Sequence, residues 1–150
     1  MKYFAYGSNL NLADLKKWCD KRNENMPKLK NPKITKLENF ELGFTRNSFG
    51  RKGGVADIIF SKGNFCYGVV FDVAEHDFKI LDKKEGVHED GMGAYERLEL
   101  ENGSITYKVR VKDDNFIQPS NEYLDVIITG AKNHELPDDW IEKLESFRRA

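Results

Sequence analysis

Apolar and polar positions near the two ends of the chain repeat with the period of α-helices. After a short apolar run at Lys2 to Tyr6, which we predict to be a strand, the pattern indicates a helix over Leu12 to about Arg22. Asn11 is placed to cap this helix with its side-chain oxygen. Towards the other end, helices are predicted to open at Pro119-Ser120 and at Pro137.

The middle of the chain has the shorter repeat of β-strands. Ile34 to Phe44 alternates in part, and two more β-rich runs cover Val55 to Phe60 and Phe65 to Val73. Turn-forming residues at Ser61 to Asn64 separate these two runs and predict a hairpin. A Gly-rich, basic stretch at Asn47 to Gly54 is predicted to be a loop.

A helix and a hairpin are predicted between residues 75 and 111. The helix covers about Glu75 to Lys84, and Gly86 is placed to end it, because glycine accepts the left-handed conformation that follows many helices. Asn102-Gly103 predicts a type I′ turn between strands at Tyr95 to Glu101 and Ser104 to Val111. Strands thus dominate the middle of the chain and helices surround them, which predicts an α+β domain, residues 1–150, with a curled or barrel-like sheet.

Composition and charge narrow the classes of partner. The chain has 150 residues, 39% apolar and 33% charged, and its net charge is −1. Nucleic acids and anionic membrane surfaces need a clustered positive field, so we expect neither as a partner. No apolar run reaches the about 20 residues of a membrane span and no signal-peptide pattern is present, so we expect a cytoplasmic protein. Cys19 and Cys66 are then expected to be reduced.

The stretch YFAYGSNL, residues 3–10, ends the first predicted strand abruptly. Gly7, Ser8 and Asn9 suit a tight turn, and successive backbone N–H groups in such a turn can form a nest that holds an anion. The alternative is that the strand simply ends in a turn.

Glu85 is the second candidate for chemistry. It falls at the end of a predicted helix, immediately before Gly86, where the negative end of the helix dipole disfavours an ionised carboxylate. A carboxyl group in that position is suited to moving protons near neutral pH. The alternative is a solvated glutamate beside Lys83 and Lys84.

Several segments, taken in order, resemble one family. YFAYGSNL, GGVADI at 53–58, YGVVFDV at 67–73, LDKKEGV at 81–87 and YLDVIITGA at 123–131 are similar to the γ-glutamylcyclotransferase-like superfamily. That group includes the γ-glutamylcyclotransferases, the γ-glutamylamine cyclotransferases and the plant avirulence-induced (AIG2-like) proteins. The resemblance runs from Tyr3 to about Leu144.

The resemblance implies a small, mixed, mostly antiparallel β-barrel with surrounding helices and a cavity at one side. It implies an enzyme that releases an amine or amino acid from a γ-glutamyl compound as the glutamyl part cyclises to 5-oxoproline, with no metal and no organic cofactor. Glu85 would be the general acid/base. The amides of Gly7, Ser8 and Asn9, with Tyr6, would cradle the substrate α-carboxylate or the developing oxyanion.

Two tyrosines and one segment leave alternatives open. Tyr95 and Tyr123 resemble tyrosines of the family's cavity, where they would bind the substrate or Glu85, yet either could instead be a core residue. Residues 88–94 form a longer linker than we expect in the animal enzymes, so the identity of the leaving group is not determined. His88, Glu89 and Asp90 within it are expected to be solvated rather than to bind a metal.

The leading hypothesis is a metal-independent cyclotransferase that acts on a small γ-glutamyl substrate as a monomer or homodimer. One alternative removes a γ-glutamyl group from a specialised amine or an isopeptide fragment. Another is a non-catalytic module that senses an acidic metabolite, although Glu85 beside an intact YGSN argues against it. Arg46, Arg51 and Lys52 either steer an anionic substrate or only solvate their loop.

Overall fold

One sheet and four α-helices make up residues 1–149, the part of the chain that the computed structural model describes. The helices are α1 (Leu12–Lys21), α2 (Glu75–Glu85), α3 (Asn121–Asn133) and α4 (Asp138–Glu145), and a 3₁₀ turn covers Ser8–Leu10. The strands are β1 (Lys2–Ala5), β2 (Lys30–Ser48), β3 (Gly53–Asp72), β4 (Tyr95–Glu99) and β5 (Ile105–Val109).

The strands follow the order β2-β3-β1-β5-β4 across the sheet. Neighbouring strands are antiparallel except β1 and β5, which are parallel. The predicted α+β class and the mixed, mostly antiparallel sheet are therefore confirmed. The sheet is open rather than closed into a barrel, because β2 and β4 lie at opposite edges and a barrel requires its edge strands to pair.

Residues 61–64 form a bulge, and the hairpin predicted there is wrong. β3 runs through them without reversing, and Glu38 of β2 pairs with Phe65 just beyond them. Asn39 lies opposite the bulge, and its side-chain oxygen accepts a hydrogen bond from the N–H of Gly63 at 3.1 Å. Residues that favour turns also occur in β-bulges, so the local pattern does not distinguish a bulge from a hairpin turn. The chain reverses instead at residues 49–52, inside the predicted basic loop.

The hairpin between β4 and β5 is confirmed, but its turn is not type I′. Gly103 has a φ of 84°, whereas Asn102 keeps a negative φ. The N–H of Gly103 donates to the C=O of Leu100 at 2.9 Å, and the N–H of Leu100 donates to the C=O of Ser104 at 2.8 Å. This pattern is typical of a three-residue loop that ends in a left-handed glycine.

The helix ends lie where the sequence signals predicted them. Asn11 caps α1, because its Oδ1 accepts a hydrogen bond from the N–H of Asp14 at 3.0 Å. Ser120 caps α3 through the N–H of Tyr123 at 3.1 Å. Gly86 ends α2 with a left-handed φ of 68°. Among the described residues, no helix combines the length and the apolar character that crossing a membrane requires.

Helix α3 packs directly against the 3₁₀ turn that follows β1. A Cβ on Gly130 would lie 2.5 Å from the carbonyl carbon of Leu10 and 2.6 Å from the nitrogen of Asn11, so this approach needs glycine. The side chain of Asn11 also donates a hydrogen bond to the C=O of Val126 at 3.0 Å. Because β1 itself pairs with β3 and β5, the turn is held between the sheet and α3.

Gly130→Ala is expected to destabilise the protein by about 1–3 kcal/mol, because the added methyl group meets backbone that cannot rotate away. Helix propensity alone predicts the opposite sign, a gain of about 1 kcal/mol. Urea denaturation followed by circular dichroism measures which sign holds. Gly50→Ala, where a Cβ meets nothing closer than 3.9 Å, is the control. A more stable Gly130→Ala variant would contradict the close contact.

Candidate active site

Two adjoining cavities lie beyond the end of β1. The outer cleft has a volume of about 450 Å³ and the inner chamber a volume of about 30 Å³. Glu85 lies at their junction, since it lines both. All the residues that the sequence suggested for the site line the inner chamber: Tyr6, Gly7, Ser8, Asn9, Glu85, Tyr95 and Tyr123.

The turn after β1 presents backbone N–H groups to the chamber. In the described structure the N–H groups of Gly7, Ser8 and Asn9 donate no hydrogen bond, whereas that of Leu10 donates to the C=O of Gly7 at 3.1 Å. A Cβ on Gly7 would lie 3.2 Å from the Cβ of Ala56 in β3, so the turn sits close to the sheet. Unpaired amides of this kind can hold a negatively charged oxygen.

The side chain of Asn9 connects three other residues. It is only 2% exposed, and its Nδ2 donates to Oε1 of Glu85 at 2.9 Å and to the hydroxyl of Tyr3 at 2.9 Å. Its Oδ1 accepts a hydrogen bond from the ammonium group of Lys84 at 2.6 Å. Asn9 was suggested for its backbone amide, and the structure shows that its side chain contacts the candidate acid/base.

Glu85 is the last residue of α2. Asn9 holds one of its carboxylate oxygens, and the other accepts no hydrogen bond from residues 1–149. Within the same residues, Glu85 forms no ion pair. A carboxylate with one oxygen fixed and the other free can take up and return a proton at a defined position.

The backbone of Ala56 holds both of the tyrosines that the resemblance singled out. Its N–H donates to the hydroxyl of Tyr123 at 3.0 Å, and its C=O accepts from the hydroxyl of Tyr95 at 2.6 Å. The hydroxyl of Tyr6 donates to the C=O of Tyr107 at 2.6 Å. Tyr123 therefore keeps its hydroxyl proton free for a ligand, whereas Tyr6 and Tyr95 can only accept a further hydrogen bond.

Burial keeps these hydroxyl groups neutral. Desolvation raises the pKa of Tyr123 to about 12, although the hydrogen bond from the N–H of Ala56 opposes the rise and the charge of Glu85 adds to it. Burial also raises the pKa values of Tyr6 and Tyr95 well above the ordinary value of a tyrosine. The three groups are therefore hydrogen-bonding partners rather than bases at physiological pH.

The outer cleft is rich in positive charge, although the whole chain carries −1. Arg51 forms a two-pronged ion pair with Asp14, at 2.9 and 2.7 Å. Arg46 is half-buried and has no hydrogen-bond or ion-pair partner among residues 1–149. Lys52 does not line the cleft and lies 3.9 Å from Glu122. The charged residues of the lining are Lys17, Lys21, Arg22, Arg46, Arg51 and Lys84, with Asp14 and Glu85 as the acids.

Residues 88–94 border the cleft at Ala94, which lines it, while His88, Glu89 and Asp90 are exposed. In the part of the chain that the structure describes, no three His, Cys, Asp or Glu side chains are grouped as they would be around a metal ion.

Comparisons with known proteins identify the family of the chain. The AIG2-like family matches residues 66–144. The γ-glutamylcyclotransferase of Bos taurus is 33% identical to the chain over 97% of the chain and 77% of its own length, and the Homo sapiens protein of that name is 31% identical with the same coverage. The chain belongs to the γ-glutamylcyclotransferase family. A solved structure of a γ-glutamyl cyclotransferase superposes with a TM-score of 0.76 at 29% identity, over 97% of this chain and 86% of that one.

Lys84 is a site residue that the sequence pattern did not indicate, as are Tyr3, Ala56 and Tyr107 of the inner chamber. Lys84 entered only the alternative in which Glu85 is solvated beside Lys83 and Lys84. Of these two lysines only Lys83 is exposed, and it pairs with Glu24. Lys84 turns inward to Asn9. Helical spacing contained the signal, because the buried face of α2 that includes Leu81 continues three and four residues later at Lys84 and Glu85.

Asp14→Asn is expected to destabilise the protein by about 1–3 kcal/mol at neutral pH, because it breaks a partly buried, charge-assisted pair. Burial alone would raise the pKa of Asp14, but the hydrogen bonds and charge of Arg51 hold it below the ordinary 3.8. The stabilisation is therefore present above that ordinary value and is lost as the pH falls through the lower value of the folded state.

Denaturant titrations of the wild type and Asp14→Asn from neutral pH into acid measure this difference, which is expected to shrink as the pH falls. Asp20→Asn, which removes an exposed ion pair with Lys16 from the same helix, is the control and should cost less than about 1 kcal/mol. A difference that stayed constant into acid would show that the charge of Asp14 is not what stabilises the fold.

Proposed function

We propose that the protein is a γ-glutamylcyclotransferase, which converts the γ-glutamyl group of a small substrate to 5-oxoproline and releases an amino acid or amine. The observation that carries the proposal is the 2.9 Å contact between Asn9 Nδ2 and Glu85 Oε1. It places a carboxyl group beside the free amides of the turn, in one chamber. Relatives with that name that match 97% of the chain support the same reaction.

The substrate already contains both reacting groups. Its α-amine is tethered to its γ-carbonyl carbon, so the protein needs to fold it into a ring rather than to bring two molecules together. The free N–H groups of Gly7, Ser8 and Asn9 are proposed to hold a negatively charged oxygen, either the α-carboxylate or the developing oxyanion. Tyr123 can donate one more hydrogen bond, and the accepting hydroxyls of Tyr6 and Tyr95 suit the α-ammonium group.

Glu85 is proposed to move the protons. It takes a proton from the α-ammonium group, and the freed lone pair of the nitrogen attacks the γ-carbonyl carbon to form the ring C–N bond. The amide bond to the leaving group then breaks. The α-nitrogen loses two protons in all and the leaving nitrogen gains two, so charge is conserved, and one carboxyl group can carry both in turn.

The charge of the outer cleft bears on the leaving group. Arg46 offers an unpaired guanidinium group there, and a guanidinium fork matches a carboxylate well. We propose that the released group carries a carboxylate, as a free amino acid does. A leaving group that carries positive charge and no carboxylate, such as a polyamine, would meet unfavourable charge in the same place.

The setting in the cell is part of the proposal. We place the protein in the cytoplasm as a monomer or homodimer, with no nucleic acid and no membrane surface as partner. The near-neutral net charge of −1 supports the proposal that nucleic acids and membrane surfaces are not partners. The buried thiols of Cys19 and Cys66 are consistent with a reducing compartment such as the cytoplasm.

Glu85→Gln is expected to lower the rate of 5-oxoproline release by about 10²–10⁴-fold, because it removes the group that carries the protons. Mass spectrometry of the product, after incubation with γ-glutamyl-alanine, glutathione or γ-glutamyl-lysine, measures it. Glu89→Gln changes an exposed carboxylate outside both cavities and should leave the rate unchanged. Equal rates for the wild type and Glu85→Gln would refute the mechanism, and binding without turnover of any substrate would favour a sensor.

Arg46→Gln is expected to lower kcat/KM about 10-fold for γ-glutamyl-alanine and to leave it unchanged for the neutral γ-glutamyl-ethylamide, since only the first has a carboxylate in the leaving group. Lys52→Gln, next to the cleft but paired with Glu122, is the control. An equal loss with both substrates would show that Arg46 does not select the leaving group.

A further inference from the structure

Lys84 is a partly buried cation whose partners are neutral. Its ammonium group donates to Oδ1 of Asn9 at 2.6 Å and to Oγ of Ser8 at 3.3 Å, and it forms no ion pair within residues 1–149. Desolvation lowers the pKa of Lys84 below the ordinary value, although the negative charges of Glu85 and Asp14 counteract this and Arg51 adds to it. Keeping an ammonium group here is costly to the fold, because burying a charge without a charged partner is unfavourable.

The contact with Lys84 decides which way the amide of Asn9 points. An asparagine amide has one accepting and one donating end, and an ammonium group can only donate. The oxygen of Asn9 must therefore face Lys84, which directs its nitrogen to Glu85 and Tyr3. Tyr3 does not decide the orientation, because its hydroxyl can either donate or accept.

Glu85 decides the orientation only while it is ionised. In the proposed reaction it becomes a carboxylic acid when it takes the proton, and a carboxylic acid can donate to an amide oxygen as well as accept from an amide nitrogen. At that stage a rotated amide of Asn9 would also find partners in Glu85 and Tyr3. Lys84 is then the contact that still requires the original orientation.

We propose that Lys84 is a positioning residue that keeps the amide nitrogen of Asn9 on Glu85 in both protonation states of the carboxyl group. This inference rests on the proposed function, and it makes Lys84 act through Asn9 and not on the substrate. The charged and titratable groups around it are Glu85 on its own helix, Asp14 and Cys19 on α1, and Arg51 in the turn after β2. The role explains why the chain keeps a cation at this costly position.

Kinetics of Lys84→Met test the role in turnover. Methionine keeps most of the side-chain length but removes the charge and the donor. With γ-glutamyl-alanine, kcat is expected to fall about 10–100-fold while KM changes less than about 3-fold, because the loss concerns the geometry of the acid/base and not binding. Lys84→Arg, which keeps the charge and a donor, should recover most of the loss. Lys83→Met, one residue earlier and exposed, is the matched control and should match the wild type.

Three kinetic outcomes would overturn the role. An unchanged kcat for Lys84→Met would show that the orientation of Asn9 does not depend on Lys84. A rise in KM with kcat unchanged would make Lys84 a direct contact of the substrate.

A combined variant, Lys84→Met with Asn9→Ser, should have a kcat only slightly lower than that of Asn9→Ser alone. The reason is that the effects of two substitutions are not additive when one residue acts through the other. Full additivity would count against the proposal.

A side-chain NMR experiment tests the inference without turnover. The full chain is labelled with ¹⁵N at asparagine, and exchange of the Asn9 side-chain protons with water is compared in Glu85→Gln, a neutral stand-in for the protonated acid. Adding Lys84→Met should speed this exchange at least about 10-fold or split the signals into two sets, whereas adding Lys83→Met should not. Unchanged Asn9 signals would overturn the positioning role. If the expected signals appear but no variant or wild type releases 5-oxoproline, the proposed function falls and the positioning role stands.

Discussion

The close contact between the backbone of α3 and the 3₁₀ turn is the constraint on which the site depends. At Gly130 there is no room for a Cβ, and across the turn Gly7 lies almost against Ala56 of β3. The turn is packed against β3 at Gly7 and against α3 at Gly130. It has little freedom to move, because packed backbone shifts less easily than a flexible side chain. The buried side chain of Asn9 extends from this turn, so its hydrogen bond to Glu85 depends on the fixed position of the turn.

The electrostatics of the site arise from three separate sources. The turn contributes amide dipoles, the end of α2 contributes the carboxylate of Glu85, and the outer cleft contributes basic side chains that the rest of the chain does not balance locally. Asp14 neutralises Arg51 at the rim, whereas Arg46 and Lys84 are among the cleft cations that have no carboxylate partner in the described residues. Such a field favours small anionic ligands over cationic ones.

Much of the fold was accessible from local sequence signals. Asn11, Ser120 and Gly86 mark helix ends by hydrogen bonds and backbone angles that involve only near neighbours, and these predictions are confirmed. The turn signals at residues 61–64 and at Asn102-Gly103 predicted the local structure less well. Residues 61–64 suit a bulge as well as a hairpin, and Asn102-Gly103 suits more than one type of turn. The pairing of β3 with β2, and of β4 with β5, decides which structure forms. Whether the curled sheet closes also depends on distant strands, and here it stays open.

For the site, the sequence by itself determined the family, which the relative at 33% identity confirms, and seven of the residues that line the inner chamber. Only the tertiary structure decided which atoms meet. It assigned the side chain of Asn9 to Glu85, left the hydroxyl proton of Tyr123 free, and turned Lys84 inward while Lys83 faces water. The reason is physical: hydrogen-bond direction and burial at this site depend on residues that lie 59 to 76 positions apart in the chain, and no local pattern records how such distant segments pack.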